Sequence, residues 1–221
     1  MNEELKNIGE EVHKEFQVER MILFSDAVFA IVITLMAIEI HIPEDLKITG
    51  TADLIHAIQH LFPTILAYII SFFFIGITWY QHLKIFGLLK SFDAGLVFLN
   101  LLLLFFIGLF PFSATLIAKG STYTILPFYI YTGIIFCCLG AVTLIEHYVL
   151  VKKPALRNKS DISGQLKRFK ERRFSMVLMS FVILAMLVCS WVFRGSLVEK
   201  FSPALFSLYP VLYLLLRKKY T

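Results

Sequence analysis

A long apolar segment with a carboxylate near its start constrains the fold of this chain more than any other feature. Residues 20–40 read R-M-I-L-F-S-D-A-V-F-A-I-V-I-T-L-M-A-I-E-I, which is long enough to cross a bilayer as a helix. The segment carries Ser25, Asp26 and Thr34. An ionisable group inside a spanning helix is costly, and it is usually retained where it faces a protein partner or a water-filled path. We therefore predict that this first helix is the functional element.

Composition indicates that nearly the whole chain is membrane domain. Six spanning helices of about 20 residues each need roughly 120 mostly apolar residues, and 58% of the 221 residues are apolar. The longest hydrophilic stretch is far shorter than an independent soluble domain. We predict an all-α integral membrane protein, with multiple spans in the cell membrane. The predicted spans are residues 21–40, 54–80, 94–117, 124–151, 174–193 and 201–216.

The loop charges predict the orientation of these spans. Cytoplasmic loops carry the excess of Lys and Arg, and a cytoplasmic N-terminus places 17 of the 21 Lys and Arg residues on that side. An even number of spans, with both termini in the cytoplasm, fits this asymmetry. The predicted organisation is an N-terminal arm over residues 1–20, a membrane domain over residues 21–216 with a basic loop over residues 152–173, and a tail over residues 217–221.

The net charge of +5 does not indicate a nucleic-acid partner. The basic residues lie where topology requires them, and the basic loop lacks the interleaved aromatic residues of a single-strand binder. Membrane lipids are the expected partners, through contact between this loop and anionic head groups.

Two arrangements of polar residues suggest chemistry that we do not expect. Ser25, Asp26 and His82 lack the oxyanion-hole motif and nucleophile elbow of a hydrolase, so we predict that the protein is not an enzyme. Three histidines at the predicted outer helix ends could bind a divalent metal, but no carboxylate or cysteine of matching spacing accompanies them. We favour surface histidines, and we predict neither a metal nor a cofactor. These histidines are His41, His56 and His60.

The first helix carries its apolar stripe and its carboxylate on different faces. Ile31, Thr34, Leu35 and Ile38 follow the i, i+3, i+4, i+7 pattern and therefore share one face. Asp26 lies about 140° away from Ile31 around the helix axis. The carboxylate and the apolar stripe are therefore expected to face different surroundings.

Polar residues on three predicted helices lie at a similar depth. Asp26 is about 9 Å in from Arg20, Asn100 is at a similar depth in the third helix, and His82 lies near the end of the second. Together with Ser25, these residues could form one cluster in which hydrogen bonds are mutually satisfied. The cluster could act as a proton relay or as a clamp between helices. We favour the clamp because intramembrane polar groups commonly pair across helices.

Several short motifs resemble those of the endosomal/lysosomal potassium channel family, and most closely those of its prokaryotic members. The motifs are F-S-D at residues 24–26 after Arg20, W-Y-Q-H at residues 79–82, Asn100, and L-F-P-F-S at residues 109–113. The resemblance implies one six-helix unit per chain, assembled as a homotetramer in a prokaryotic plasma membrane. It also implies a pore lined by the first helices, without a re-entrant pore loop, and the sequence indeed contains no T-V-G-Y-G segment.

The resemblance assigns roles to particular positions. It places the hydrophobic constriction at Ile31, a hydroxyl layer at Thr34 and further narrow rings at Leu35 and Ile38, in a channel modestly selective for potassium over sodium. The polar cluster is then structural, and it comprises Arg20, Phe24, Ser25, Asp26, Trp79, His82 and Asn100.

Two alternatives to a channel remain open at this point. One is a proton-coupled secondary transporter that uses Asp26 and His82. The chain shows no internal repeat of the kind that such transporters contain. The other is a membrane scaffold without transport activity, which gives no reason for the polar cluster or for the graded face of the first helix.

Overall fold

The computed structural model describes residues 2–41, 50–119, 125–158, 162–196, 199 and 202–220. The starts of two predicted spans, Thr124 and Phe201, lie outside these residues. Within them the backbone is almost entirely helical, and the seven α-helices are numbered here in chain order. They are α1 (Asn2–Ile38), α2 (Thr51–Phe86), α3 (Ala94–Gly108), α4 (Phe110–Lys119), α5 (Leu126–His147), α6 (Ser163–Val192) and α7 (Leu208–Tyr220).

Five helical segments are long and apolar enough to cross a membrane, which confirms a multi-pass, all-helical membrane protein. These segments are Val12–Ile38, Leu61–Phe86, Ala94–Ile117, Leu126–Lys152 and Ser163–Val192. The sixth predicted span coincides with a shorter apolar segment, Ala204–Leu216. Its first part is a 3₁₀ turn, Ser202–Ser207, and α7 follows with Pro210 in its first turn. A proline is tolerated there because the first turn needs no backbone N–H donor.

The predicted third span is divided into two helices. α3 ends at Gly108, and α4 begins at Phe110. The Leu109 N–H closes a tight turn onto the Phe106 carbonyl at 3.2 Å. Pro111 explains the interruption because it lacks an N–H donor and its ring crowds the turn before it.

Two segments predicted as an arm and a loop are partly helical. α1 begins at Asn2, so the N-terminal arm and the first span form one continuous helix. α6 begins at Ser163, so the second half of the predicted basic loop, residues 152–173, forms the first turns of α6. A π-helical turn, Tyr148–Lys152, extends α5 up to the start of this loop, and the first half of the loop contains a 3₁₀ turn, Pro154–Leu156.

α5 is the central helix of the bundle. Half of its most apolar window is buried, compared with 22% for the windows of α1, α2 and α6. Its residues Cys138, Val142 and Ile145 are almost completely buried. Because apolar groups elsewhere on the bundle surface face outwards, the bundle is suited to a lipid environment.

Asp93 joins the start of α3 to the end of α5. Its Oδ1 accepts the Leu96 N–H at 2.9 Å, as an N-cap does, and its Oδ2 accepts the Tyr148 hydroxyl at 2.8 Å. Burial opposes the charge, but these hydrogen bonds and Lys153 Nζ at 3.8 Å outweigh it and hold the pKa of Asp93 below its usual value. Tyr148 reaches Asp93 by passing directly over Gly95.

We predict that Gly95→Ala destabilises the fold. The new Cβ would lie 2.9 Å from Tyr148 Cζ, so the ring must move and its hydrogen bond to Asp93 is lost. The expected loss in free energy of unfolding is about 1–3 kcal/mol, measured as a lower melting temperature of the detergent-purified protein. Gly76→Ala is the control because its Cβ meets no heavy atom within 4 Å. Equal melting temperatures for the two variants would contradict the prediction.

Candidate functional site

Three buried polar side chains connect α1, α2 and α3, and we call them the polar chain. Ser25, His82 and Asn100 are each at most 1% exposed. Asn100 Nδ2 donates to Ser25 Oγ at 2.9 Å, and Asn100 Oδ1 accepts from His82 Nε2 at 2.9 Å. Ser25 in turn donates to the Met21 carbonyl of its own helix at 2.9 Å. Asn100 therefore links the other two helices through both ends of one amide.

The hydrogen bond to Asn100 fixes which nitrogen of the His82 imidazole ring carries the shared proton. An amide oxygen only accepts, so the proton in the His82–Asn100 hydrogen bond is carried by Nε2. Nδ1 of His82 is buried and has no hydrogen-bond partner. The ring stacks on Phe86 with centroids 3.9 Å apart, and Phe29 lies 5.8 Å away. Aromatic packing therefore surrounds the polar chain on the α1 and α2 sides.

Asp26 makes a separate hydrogen bond between α1 and α2. Its Oδ1 accepts from the indole Nε1 of Trp79 at 2.8 Å. Because an indole N–H can only donate, Trp79 satisfies the carboxylate without changing its charge. The sequence predicts Asp26 and His82 in one cluster. Trp79, which the resemblance to the channel family also places in the cluster, lies three residues before His82, so both residues lie on neighbouring turns of the same helix.

The structure therefore divides the predicted cluster into three parts. Ser25, His82 and Asn100 form one network, and Asp26 with Trp79 forms another. Arg20 and Phe24 are exposed on the surface of α1 and belong to neither network.

The predicted stripe on α1 lies on the free surface of the chain. Ile31, Leu35 and Ile38 are 56%, 47% and 70% exposed, and Thr34 is exposed beside them. The opposite side of the helix, with Phe29, Val32 and Met36, is at least 96% buried against the bundle. The hydroxyl of Thr34 donates to the Ile31 carbonyl at 2.8 Å. Its oxygen lone pairs therefore remain available to an external cation.

The free face of α1 includes several small residues. Small residues interrupt it at Ala27, Ala30 and Ala37, all exposed. The free face of α6 presents large side chains such as Phe181 and Trp191, with Ser180 and Ala185 also exposed on it. Small residues allow helices to approach closely in a membrane, whereas large ones fill the volume next to acyl chains. The face of α1 is thus suited to contact with other helices.

The histidines considered as metal ligands do not form a site in the described part of the chain. His41 and His56 are exposed, and the side chain of His60 lies outside the described residues. No group of three or more metal-ligating side chains lies close together among the residues that were described.

Comparison with known proteins relates these helices to one family. The family described as "Endosomal/lysosomal potassium channel TMEM175" matches residues 20–111, the segment that contains both hydrogen-bonded networks and the stripe. A potassium channel of Streptomyces collinus is 39% identical over 100 residues, covering 45% of this chain and 47% of the relative. The human endosomal/lysosomal proton channel TMEM175 is 33% identical over 106 residues, covering 46% of this chain and 21% of the relative.

A solved structure extends the similarity to most of the fold. The crystal structure of a lysosomal potassium-selective channel TMEM175 homolog from Chamaesiphon minutus superposes with a TM-score of 0.65 and 26% identity. It covers 87% of this chain and 97% of that structure. By sequence, however, the chain spans about half the length of the bacterial relative described above and about a fifth of the human one.

We predict that Asn100→Leu lowers stability more than Ser25→Ala. The leucine removes two hydrogen bonds and leaves the His82 Nε2–H buried without an acceptor. The expected loss is about 1–3 kcal/mol, whereas Ser25→Ala removes one acceptor and is expected to cost less. Thermal unfolding in detergent measures both. Asn158→Leu is the control because Asn158 is exposed at the surface. An Asn100→Leu protein as stable as this control would refute the clamp.

Proposed function

We propose that this chain, which is similar to the endosomal/lysosomal potassium channel TMEM175 family over residues 20–111, is a potassium-permeable cation channel. In this proposal four copies arrange their α1 helices around one axis. The observation that carries the proposal is the exposed stripe of Ile31, Thr34, Leu35 and Ile38, opposite a face of α1 that is buried in its own bundle. The potassium-channel names of bacterial relatives support the choice of ion.

A ring of helices explains the composition of the free face of α1. One helix cannot enclose a pore, so the stripe needs copies of itself to form a closed wall. The exposed Ala27, Ala30 and Ala37 allow neighbouring α1 helices to approach closely. The larger side chains of the stripe then point to the axis between them.

The proposed gate is a collar of four Ile31 side chains. A closed apolar collar excludes water and stops ions by dewetting, whereas slight widening admits partly dehydrated cations. The Thr34 oxygen, one turn further along α1, replaces part of the lost hydration because its proton is already donated to the backbone. Leu35 and Ile38 form further apolar rings. Potassium is favoured modestly over sodium because the larger ion costs less to dehydrate.

The polar chain positions the collar in this proposal. Asn100 and His82 hold Ser25 six residues before Ile31, which is about 9 Å along the helix. The Asp26–Trp79 hydrogen bond fixes the rotation of α1 against α2 at the same level. Together they hold the stripe away from the bundle at a defined angle.

Proton movement is the second candidate function. The human relative is named a proton channel, and Asp26 and His82 are titratable groups near the proposed pore. In this chain, however, Asp26 is bonded to Trp79 and His82 to Asn100, so no hydrogen bond joins the two described side chains. A proton-coupled transporter would need a connection between them. We therefore place potassium conduction first.

We predict that Ile31→Asn raises potassium flux in proteoliposomes about tenfold. Wetting the collar is expected to lower the barrier by about 1.4 kcal/mol, which corresponds to that change in rate. The purified protein is reconstituted with a potassium gradient, and a proton ionophore prevents a proton gradient from forming. Passive flux that follows the potassium gradient supports a channel.

Leu184→Asn is the matched control for the flux measurement. Leu184 is 57% exposed on α6, close to the 56% of Ile31, but it lies on a different helix. Its substitution should leave flux per protein unchanged. Equal effects of the two variants would contradict a constriction at Ile31. Absence of passive flux in both the wild type and Ile31→Asn would contradict a channel.

We predict that Asp26→Asn retains passive potassium flux when pH is equal on both sides of the membrane. The amide can still accept the Trp79 N–H, so the contact between α1 and α2 is preserved without the charge. A transporter that carries protons on Asp26 would lose proton-driven uptake in this variant. Proton-driven uptake that disappears in Asp26→Asn, with no passive flux in the wild type, would favour the transporter.

A further inference from the structure

A cavity of about 350 Å³ lies between α2, α5 and α6, away from the stripe on α1. Lys84 and Arg168 line it near the basic end of the bundle, which we define by Lys84, Lys152, Lys153 and Arg168. Ile77 and Leu139 line it on the apolar side. Lys84 lies seven residues from Ile77 along α2, about 10 Å. The lining of the cavity therefore changes from charged to apolar over a distance similar to the depth of a lipid head group.

A buried ion pair faces this cavity. Arg172 Nη1 lies 3.4 Å from Glu146 Oε1, and the two side chains are only 13% and 8% exposed. The second carboxylate oxygen, Glu146 Oε2, is buried and has no hydrogen-bond partner. Gln81 Oε1, which belongs to a residue lining the same cavity, has no hydrogen-bond partner either. Arg172 Nη1 makes the ion pair with Glu146 but no hydrogen bond.

Unpartnered buried groups of this kind are costly, and they indicate an occupant that satisfies them. Glu146 Oε2 and Gln81 Oε1 accept hydrogen bonds, so the occupant must donate. Arg172 donates, so the occupant must also accept. An occupant that carries only one kind of group leaves part of the site unsatisfied.

The charges of the lining residues point to an occupant with both signs. Lys84, Arg168 and Arg172 are cations, and Glu146 and Glu171 are carboxylates. A simple anion meets repulsion from the buried carboxylate, and a simple cation meets the arginines. The apolar side of the cavity favours an occupant with attached hydrocarbon.

We propose that this cavity binds the head group of a phospholipid of the phosphoethanolamine type. The phosphate accepts hydrogen bonds from Arg168, Lys84 and Arg172, which suit phosphate oxygens. The primary ammonium donates to Glu146 Oε2 and Gln81 Oε1. The first methylene groups of the acyl chains pack on Ile77 and Leu139. This site is separate from the proposed pore, and its binding can be measured without measuring flux.

Native mass spectrometry of the purified protein tests the site with two lipids that have identical acyl chains. Phosphatidylethanolamine offers three N–H donors, whereas phosphatidylcholine has the same phosphate and none. The expected result is about tenfold tighter binding of phosphatidylethanolamine, the effect of hydrogen bonds to a charged group. Equal binding of the two lipids would overturn the proposal.

Two cavity variants and one control locate the binding. Gln81→Leu removes an acceptor without burying an unpaired charge, so the fold is preserved and the preference for phosphatidylethanolamine should fall several-fold. Arg168→Gln should weaken the binding of both lipids because it removes a side chain that donates hydrogen bonds to the phosphate. Lys167→Gln is the control, because Lys167 is exposed on the same helix and does not line the cavity. If Lys167→Gln lost as much lipid binding as Arg168→Gln, the loss would reflect general surface charge, and the proposed lipid site would be overturned.

Soluble phosphoethanolamine distinguishes a lipid from a free phosphate ester. The lipid assignment predicts that it fails to displace bound phosphatidylethanolamine at equal concentration, because it lacks the hydrocarbon that packs on Ile77 and Leu139. Displacement at equal concentration would show that the cavity takes the free ester, which contradicts the lipid assignment.

Discussion

The hydrocarbon core of a membrane contains no water, so a polar side chain that enters it has to find its hydrogen bonds within the protein. Ser25, Asn100 and His82 meet this requirement at one level of the bundle. Asn100 is suited to the middle position because its amide donates at one end and accepts at the other. The mutual placement of α1, α2 and α3 follows from these two hydrogen bonds. If one of the three helices moves away, the side chain that it carries leaves a buried partner without its hydrogen bond.

The same placement decides which side of α1 is left free. Phe29, Val32 and Met36 face the bundle, so Ile31 and Ile38 have to face outwards on a helix with 3.6 residues per turn. An apolar outward face is ordinary for a lipid-facing helix. On α1, small residues and a back-bonded hydroxyl interrupt this face. Such a surface combines close packing between helices with an oxygen available to a cation.

Hydropathy and charge were sufficient to predict the helical membrane fold, because a span needs a long apolar run and little else. Periodicity also placed the stripe on one face. The sequence could not pair Asp26 with Trp79, since spacing gives the depth of a residue but not the direction that its helix presents to a neighbour. It missed the ion pair of Glu146 and Arg172 for the same reason, because the two residues lie on different helices. The sequence also did not predict the interruption of the third span, because that interruption depends on how the turn before Pro111 closes.

The two polar regions of the bundle differ in what surrounds them, and this separates their roles. Phe29 and Phe86 pack around the polar chain, which leaves its members bonded to one another. Glu146 Oε2 and Gln81 Oε1 are unpaired, as His82 Nδ1 is in the polar chain, but they adjoin a cavity that an occupant can fill. α2 connects the two regions, because Gln81 and His82 are consecutive residues that point about 100° apart. An occupant that bonds Gln81 therefore restrains the turn of α2 that carries His82. The cavity and the polar chain therefore share one turn of α2, and their side chains leave that turn in different directions.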